Sequence, residues 1–326
     1  DHVSSLANRM DRPAALEDVK SNMTDIMQDM TMIVGFYMRG PVGSPVSNPA
    51  LEITSSAYVA HSAELLYRNA FDAFDREAEK LGHFFTNLHS EGLNRTEDLP
   101  DARVFMDRKY RTTYSFKCTY AGNPLLLKKG NHRFAVDKAV YDNPGKELSE
   151  HMFITGIKGP GGRTTWFAGA APSGCGKTTT AMAGNVFIGD DLAQMWIAGD
   201  GSIRSVNPEC GIFGIVEDVN LEGDPMLMKV LRKPGHEVIW SNVLVDDRKV
   251  PHWVGSGTSA SRTTSLSFLR RQRIRSAIVI SFRSCSAAIS LSRGMRAISP
   301  SSSMISHNRP AGYRPAARHR STTASV

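Results

Sequence analysis

An eight-residue loop constrains this 326-residue chain most: Ala171-Pro172-Ser173-Gly174-Cys175-Gly176-Lys177-Thr178, which ends in Gly-Lys-Thr. The loop follows a predicted buried strand over 164–170 and precedes a predicted helix that begins near Thr178. Between a strand and a helix, such a loop cradles phosphate oxygens with its backbone N–H groups. The usual pattern, G-x-x-x-x-G-K-[S/T], has a glycine where this chain has Ala171. A glycine-rich turn without a ligand is therefore the alternative.

Three side chains of the loop carry the expected chemistry. Lys177 would neutralise the β and γ phosphates of a nucleotide, and the Thr178 hydroxyl would bind its magnesium ion. Cys175 lies near Lys177 and the start of the helix, and both favour a thiolate. We therefore expect a reactive thiol at Cys175, although a cysteine that only packs within the loop is the alternative.

An acidic segment follows the next predicted strand. The apolar residues 186–188 lead into Gly189-Asp190-Asp191. Carboxylates at the end of a strand can hold a divalent cation beside a phosphate that is being transferred. Alone, this segment fits a plain surface turn equally well. Its position after a phosphate loop favours the metal interpretation.

The distribution of charge separates the last 69 residues from the rest of the chain. The net charge is +7, yet residues 258–326 contain 12 Arg, 17 Ser and no Lys, Asp or Glu. Residues 1–257 therefore hold 27 basic and 32 acidic side chains and are mildly acidic. We expect a tail translated out of frame and assign it no function. A disordered basic arm that binds nucleic acid is the alternative.

Cysteine spacing and hydropathy bear on the cellular setting. Cys118, Cys175, Cys210 and Cys285 are widely separated and include no Cys-x-x-Cys pair. This spacing argues against a disulfide framework or a structural zinc site and favours a reduced, cytoplasmic setting. No run of 18 apolar residues predicts a membrane helix. The start at Asp1 is neither an initiator methionine nor a signal peptide, so we expect truncation at the N-terminus.

Hydrophobic periodicity predicts a succession of helices and strands typical of the α/β class. Helices are expected over 13–30, 57–80 and 134–141, and strands over 31–37, 112–120, 151–157, 164–170 and 186–188. Two strand pairs follow: 192–198 with 202–206, around an Asp-Gly turn, and 238–245 with 250–254.

Three motifs in order resemble the GTP-dependent phosphoenolpyruvate carboxykinase family. They are the loop 171–178, then Gly189-Asp190-Asp191, then Asn207-Pro208-Glu209-Cys210-Gly211-Ile212-Phe213-Gly214. Further similar segments are Gly40-Pro41-Val42-Gly43-Ser44-Pro45 with Glu52-Ile53-Thr54, Tyr120-Ala121-Gly122-Asn123 with 125–129, and His151-Met152. Ala121 and Leu127 stand where glycine is usual in the family. The resemblance covers roughly residues 30–257.

The resemblance implies an incomplete α/β fold with mixed sheets and a phosphate-loop nucleotide domain. It implies a manganese ion held by Lys129, His151 and Asp191, and substrate contacts from Tyr120, Ala121, Gly122 and Ser173. It assigns the nucleotide phosphates to Gly174, Cys175, Gly176, Lys177, Thr178 and Thr179, with Cys175 and Lys177 as the catalytic candidates. Taken singly, Lys129 would be a solvated charge and His151 a core histidine. A lysine ligand also requires a neutral amine, so the ion must depress its pKa.

The implied reaction is the manganese-assisted decarboxylation of oxaloacetate with phosphoryl transfer from GTP, which gives phosphoenolpyruvate, GDP and CO2 in gluconeogenesis. Mg2+ or Mn2+ would accompany the nucleotide. We expect a cytoplasmic monomer with no membrane or nucleic-acid partner. One alternative is another phosphotransferase or kinase with the same loop, which would need no Lys129 and His151 metal pair. The other is a non-catalytic nucleotide-binding chain with a basic tail.

Three segments are expected along the chain. Residues 1–130 would form a substrate-binding lobe that is truncated at its start, and residues 131–257 part of a nucleotide- and metal-binding domain. The aberrant tail would cover residues 258–326. In the family, the base pocket, an Asn-Arg substrate motif and a nucleotide-contacting arginine lie further toward the C-terminus, and nothing after Gly257 matches them. We therefore expect the chain as written to turn over oxaloacetate poorly.

Overall fold

The structure is a computed structural model of the chain. It describes residues 8–93, 95–118, 124–172, 175–232, 236–241, 243–257, 277–281, 289–290 and 323–325. Five of the candidate site residues lie outside the described residues: Tyr120, Ala121, Gly122, Ser173 and Gly174. In the part that is described, no helix has both the length and the apolar character needed to cross a bilayer.

A mixed sheet of eight strands dominates the N-terminal half. In spatial order its strands are Asn8–Arg9, Thr323–Ser325, Arg103–Asp107, Thr112–Phe116, Phe85–Ser90, Asn48–Thr54, Ile33–Arg39 and Arg68–Asn69. Asn48–Thr54 runs parallel to Phe85–Ser90 on one side and antiparallel to Ile33–Arg39 on the other. The α/β class with mixed sheets is therefore confirmed.

The described helices differ from the predicted ones in number as well as in their ends, and Pro225–Arg232 has no predicted counterpart. The α-helices are Arg12–Met23, Ala57–Leu66, Phe74–Leu81, Pro124–Asp137, Lys177–Ala183 and Pro225–Arg232, and the π-helical turn Lys138–Asp142 follows the fourth of them. The 3-10 turns are Thr96–Asp101, Pro160–Gly162 and Val254–Ser256. The single helix predicted over 57–80 is wrong, because Arg68–Asn69 pairs with Ile33–Arg39 and separates two helices. The helix predicted over 13–30 ends at Met23, and positive φ angles at Asp25 and Asp29 are incompatible with its continuation.

The helix Pro124–Asp137 packs against the large sheet through an apolar face. Its Leu127 and Phe134, seven residues apart, are buried in one cluster with Phe85 and Leu66. The rings of Phe85 and Phe134 lie 5.5 Å apart. Residues at this spacing share one side of a helix, so the core fixes the orientation of the whole helix.

A close contact also fixes the depth of this helix. Gly130 lies against the side chain of Thr113 with no space for a Cβ atom. The helix can therefore approach the strand Thr112–Phe116 only because residue 130 is glycine. Lys128 and His132, four residues apart, lie on a common face of the helix.

Smaller sheets build the described part of the second half. One three-stranded sheet has the order Thr164–Ala170, Met152–Lys158, Val186–Gly189, and another has the order Gly211–Ile215, Ala277–Ser281, Val238–Ser241. A four-stranded sheet has the order Ile289–Ser290, Ile203–Val206, Ala193–Ile197, Glu147–Glu150. A two-stranded sheet pairs Leu244–Val245 with Pro251–His252. The predicted Asp-Gly hairpin is confirmed, since Ala193–Ile197 pairs antiparallel with Ile203–Val206 and Gly201 has φ +75°. The middle strand Ala277–Ser281 comes from the Ser/Arg-rich segment.

Candidate functional site

Three segments that carry candidate residues meet at one edge of a three-stranded sheet. Thr164–Ala170 and Val186–Gly189 both pair antiparallel with Met152–Lys158, so the two outer strands run parallel to each other. The register places the ends of these outer strands beside the start of the middle strand. The phosphate loop, Asp190-Asp191 and His151 therefore leave the sheet side by side.

The first turn of the helix after the phosphate loop contacts the acidic pair. Lys177 Nζ lies 2.7 Å from Asp191 Oδ1, and Thr178 Oγ1 donates a hydrogen bond to Asp190 Oδ2 at 2.8 Å. Gly176, just before the helix, has φ +82°, a conformation that glycine adopts without strain. Burial raises the pKa of Asp190. The lysine and threonine of the loop thus meet the two carboxylates that follow the neighbouring strand.

Lys128 connects Asp191 to a further carboxylate. Lys128 Nζ lies 2.8 Å from Asp191 Oδ2 and 3.0 Å from Glu209 Oε2. Burial alone would lower the pKa of Lys128, but the charges of Glu209 and Asp191 raise it well above its usual value. Burial raises the pKa of Glu209 to about 7. Lys128 is therefore held as an ammonium ion between two carboxylates.

Asp191 is the most heavily paired carboxylate of this group. Lys177 contacts one of its oxygens and Lys128 the other. Burial would raise the pKa of Asp191, but these two ammonium groups hold it well below its usual range. Asp191 therefore stays ionised and remains a potential ligand for a cation.

Lys129 is shifted in the opposite direction from Lys128. Desolvation and the neighbouring charge of Lys128 lower the pKa of Lys129, although part of its side chain is exposed. A lower pKa favours the neutral amine, which is the form that can coordinate a metal.

Two histidine rings lie beside this carboxylate cluster. His132 and His151 stack with their ring centroids 4.2 Å apart and 28° between the planes. Burial lowers the pKa of both rings, and the proximity of His151 lowers that of His132 further. Glu150 Oε1 accepts the backbone N–H of His151 at 2.7 Å. One ligand atom from each of His132, Glu150 and His151 lies within 4.8 Å of the other two.

The motif 207–214 connects the site to the N-terminal half. Asn207 Nδ2 donates to the carbonyl of Ile188 at 3.2 Å, and Gly189 packs so closely on Asn207 that a Cβ atom would clash. The carbonyl of Pro208 accepts the backbone N–H of Gly40 at 2.8 Å. The loops around Gly40 and Asn207 are therefore fixed to the acidic strand end.

The structure brings several of the predicted site residues together and leaves others apart. Lys177 contacts Asp191, Thr178 contacts the adjacent Asp190, and His151 immediately precedes the strand Met152–Lys158. Thr179 Oγ1 instead donates to Asp224 Oδ1 at 3.0 Å. Cys175 is exposed and free.

The sequence predicted no individual site role for Lys128, His132 or Glu150, and for Glu209 only that the motif 207–214 lines the nucleotide side of the cleft. Lys128 and Glu209 stand inside motifs that the resemblance had already identified, so membership in those motifs was a usable signal. His132 has no comparable signal, because only the folded helix brings it beside His151.

Comparison with known proteins identifies the same family along most of the chain. Residues 1–140 match the phosphoenolpyruvate carboxykinase N-terminal domain, and residues 147–288 match the phosphoenolpyruvate carboxykinase C-terminal P-loop domain. These matches extend on both sides of the segment 30–257 on which the resemblance depended.

Curated relatives carry the same name. The chain is 42% identical over 255 residues to "Phosphoenolpyruvate carboxykinase [GTP]" of Pyrococcus horikoshii, an alignment that covers 77% of this chain and 40% of the relative. It is 41% identical over 255 residues to the protein of that name from Pyrococcus abyssi, with the same coverage of each chain. The protein of that name from Corynebacterium efficiens is 32% identical over 256 residues, which are 73% of this chain and 41% of the relative. The chain thus spans about two fifths of the length of these relatives.

Proposed function

Because this chain belongs to the phosphoenolpyruvate carboxykinase family, we propose that its cleft serves the GTP-dependent reaction of that family. Oxaloacetate would lose CO2 and accept the γ-phosphoryl group of GTP, giving phosphoenolpyruvate and GDP. One observation carries this proposal: the phosphate loop, the pair Asp190-Asp191 and His151 leave the same edge of one sheet. The proposed phosphate site and the side chains proposed to hold a metal are therefore adjacent.

The phosphate half of the cleft depends on Lys177 and Thr178. Lys177 would exchange its contact with Asp191 for the β and γ phosphates of GTP. The hydrogen bond between Thr178 and Asp190 aligns a hydroxyl and a carboxylate oxygen, the ligands that a nucleotide-bound Mg2+ or Mn2+ ion prefers. Gly174, Cys175, Gly176 and Thr179 would complete this half.

The donor set Lys129, His151 and Asp191 fits a manganese ion in its protonation states. Asp191 is ionised, His151 is shifted toward its neutral form by burial, and Lys129 is shifted toward the free amine. Each shift favours the form of the side chain that has a lone pair to donate. When bound, manganese would act as a Lewis acid that polarises the carbonyl of oxaloacetate.

Nucleotide binding and cation binding are expected to support each other at Asp191. In the structure Lys177 Nζ contacts Asp191 Oδ1 at 2.7 Å. Phosphate groups that attract Lys177 would free this oxygen for a cation. The affinity for Mn2+ should therefore rise when GTP is bound, and by linkage the affinity for GTP should rise with Mn2+.

The test is GTP binding by the full chain, measured by isothermal titration calorimetry with Mn2+ or with Mg2+ alone. Lys177→Ala should weaken binding by roughly tenfold to a hundredfold, the usual effect of losing a charged hydrogen-bond donor. Lys158→Ala removes a lysine from the opposite end of the middle strand and is the matched control. It should bind GTP as the unmodified chain does.

Formation of phosphoenolpyruvate is followed in the same preparations. We expect slow product formation that requires Mn2+ and disappears in Lys177→Ala. GTP binding that Lys177→Ala leaves unchanged would contradict the proposed phosphate site. GTP binding and phosphoryl transfer with Mg2+ alone and no effect of His151→Ala would instead indicate another phosphotransferase.

A further inference from the structure

The side chain of His132 has no role in the proposed reaction, yet it is buried and stacks on His151, a proposed metal ligand. His132 is 3% exposed, and neither of its ring nitrogens has a hydrogen-bond partner among the described residues. Burying a polar group without a hydrogen bond is unfavourable, and exceptions often mark an absent ion or water. An ion or a water molecule is therefore expected beside His132.

Two neighbouring side chains provide the other donors of a metal site. Glu150 is the last residue of the strand Glu147–Glu150 and pairs with Ala193, and His151 follows directly. The stack of His132 on His151 at 4.2 Å places both rings at the same point of the cleft. Because His132 lies on a packed helix and His151 lies directly between two paired strands, the first of which ends at Glu150, the three backbones are fixed before any ion binds.

The spacing of the donor atoms is close to what one ion requires. The three ligand atoms lie within 4.8 Å of one another. Ligand atoms about 2.1 Å from a tetrahedral ion are separated by roughly 3.4 Å. Two stacked rings cannot both point an in-plane nitrogen lone pair at one ion, so one imidazole has to turn out of the stack on binding, and the partly exposed Glu150 can rotate to complete the set.

The chemistry of these donors selects the class of ion. Two imidazole nitrogens and one carboxylate oxygen suit zinc and similar transition metals, whereas Mg2+ and Ca2+ prefer oxygen ligands alone. Two histidines and a glutamate also leave a fourth position open for water or a substrate atom.

We propose that His132, Glu150 and His151 form a binding site for a divalent ion of the zinc class. The site shares His151 with the proposed manganese set but uses neither Lys129 nor Asp191. The two ions would therefore compete for His151, and zinc would displace manganese. The zinc-class site requires none of the nucleotide-binding residues, so it does not depend on the proposed reaction.

The test uses Co2+, whose visible absorption reports tetrahedral nitrogen and oxygen coordination, and then displacement of Co2+ by Zn2+. The full chain should develop this absorption on titration with Co2+. His132→Leu and Glu150→Gln should each weaken Co2+ binding by at least about tenfold, the loss expected when a supporting residue of a metal site is removed. His61→Ala, which removes an exposed histidine paired with Glu237, should leave the titration unchanged.

Two further measurements separate the zinc-class site from the manganese set. Mn2+ binding is followed by electron paramagnetic resonance, and Lys129→Ala should weaken Mn2+ but leave Co2+ binding intact. Thermal unfolding confirms that each variant is folded. Glu150→Gln keeps the test decisive if His132→Leu does not fold, because Glu150 is partly exposed.

Unchanged Co2+ affinity in both His132→Leu and Glu150→Gln would overturn the proposal. The same conclusion would follow if Lys129→Ala weakened Co2+ binding as much as His132→Leu, since Co2+ would then occupy the manganese set. Failure of Mn2+ binding alone would leave the zinc-class site intact and count against the proposed function.

Discussion

Glu52 offers a test of how burial shifts the pKa of a carboxyl group inside the large sheet. It lies on the strand Asn48–Thr54, is 1% exposed and accepts a hydrogen bond from Asn87 Nδ2 at 3.0 Å. Glu52 Oε2 and Asn87 Oδ1 are buried without a partner among the described residues. Burial raises the pKa of Glu52 from 4.5 to about 8, although the bond from Asn87 opposes the shift.

The raised pKa determines how this carboxyl group affects stability. Between pH 4.5 and 8 the folded chain keeps a proton on Glu52 that the unfolded chain has lost, so stability falls as the pH rises. The stability is fully present below the unfolded pKa and is lost as the pH passes through the folded pKa. From pH 5 to pH 9 the loss is on the order of 4 kcal/mol at 1.36 kcal/mol for each pKa unit.

Glu52→Gln should remove this dependence. A glutamine cannot ionise, and its Nε2 can donate to the unpartnered Asn87 Oδ1. The free energy of unfolding is measured in urea at pH 5 and at pH 9. At pH 5 the two proteins should have similar stability. At pH 9 Glu52→Gln should be the more stable, by on the order of 4 kcal/mol. Glu79→Gln, which removes an exposed carboxylate, is the control.

The reasoning would be refuted if the stability of the Glu52→Gln protein relative to the unmodified chain were the same at both pH values. It would also fail if the advantage were greater at pH 5, since that sign requires a lowered pKa. A change of the same size in Glu79→Gln would indicate a general effect of net charge.

Two other variants or treatments probe the site and its supporting helix. Gly130→Ala places a Cβ against Thr113 and should destabilise the chain by about 1–3 kcal/mol in urea unfolding, offset in part by the roughly 1 kcal/mol that alanine gains in a helix. Adding Thr113→Ala should restore much of that loss, and a double variant no better than the single one would count against the contact. Iodoacetamide should label exposed Cys175 before Cys118, whose pKa burial raises to about 11, and GTP should protect Cys175. Peptide mass spectrometry checks this order, and equal labelling or no protection would contradict it.

The sequence predicted the local elements best where a pattern and a sharp chain signal agree. The strand Thr164–Ala170 has the predicted bounds, since it is apolar and ends at the phosphate loop. Helix ends were less predictable, because they depend on pairing elsewhere: Arg68–Asn69 divides a continuous helical pattern by joining a distant strand. Motifs also identified Lys177, Thr178 and Asp191, and in the fold Lys177 contacts Asp191 while Thr178 contacts the neighbouring Asp190.

The connections between motifs could not be predicted, because they depend on tertiary packing. Nothing in the order of residues indicates that Glu209 binds Lys128, or that His132 stacks on His151. The Ser/Arg-rich segment is a related case. Its residues 277–281 pair on both sides with Gly211–Ile215 and Val238–Ser241. Translation of the other two reading frames is the test of the prediction that the tail as a whole is out of frame.

Lys128 and Lys129 show how the fold gives two adjacent, identical residues different properties. Successive helix residues project about 100° apart, so the two ammonium groups meet different surroundings. Lys128 lies between Glu209 and Asp191, which keep it charged, whereas the pKa of Lys129 is lowered first by desolvation and then by the nearby charge of Lys128. The positive charge that the carboxylates hold on Lys128 is therefore part of what lowers the pKa of Lys129. The buried pairing of Lys128 with two carboxylates would in this way favour the neutral, metal-coordinating form of the neighbouring lysine.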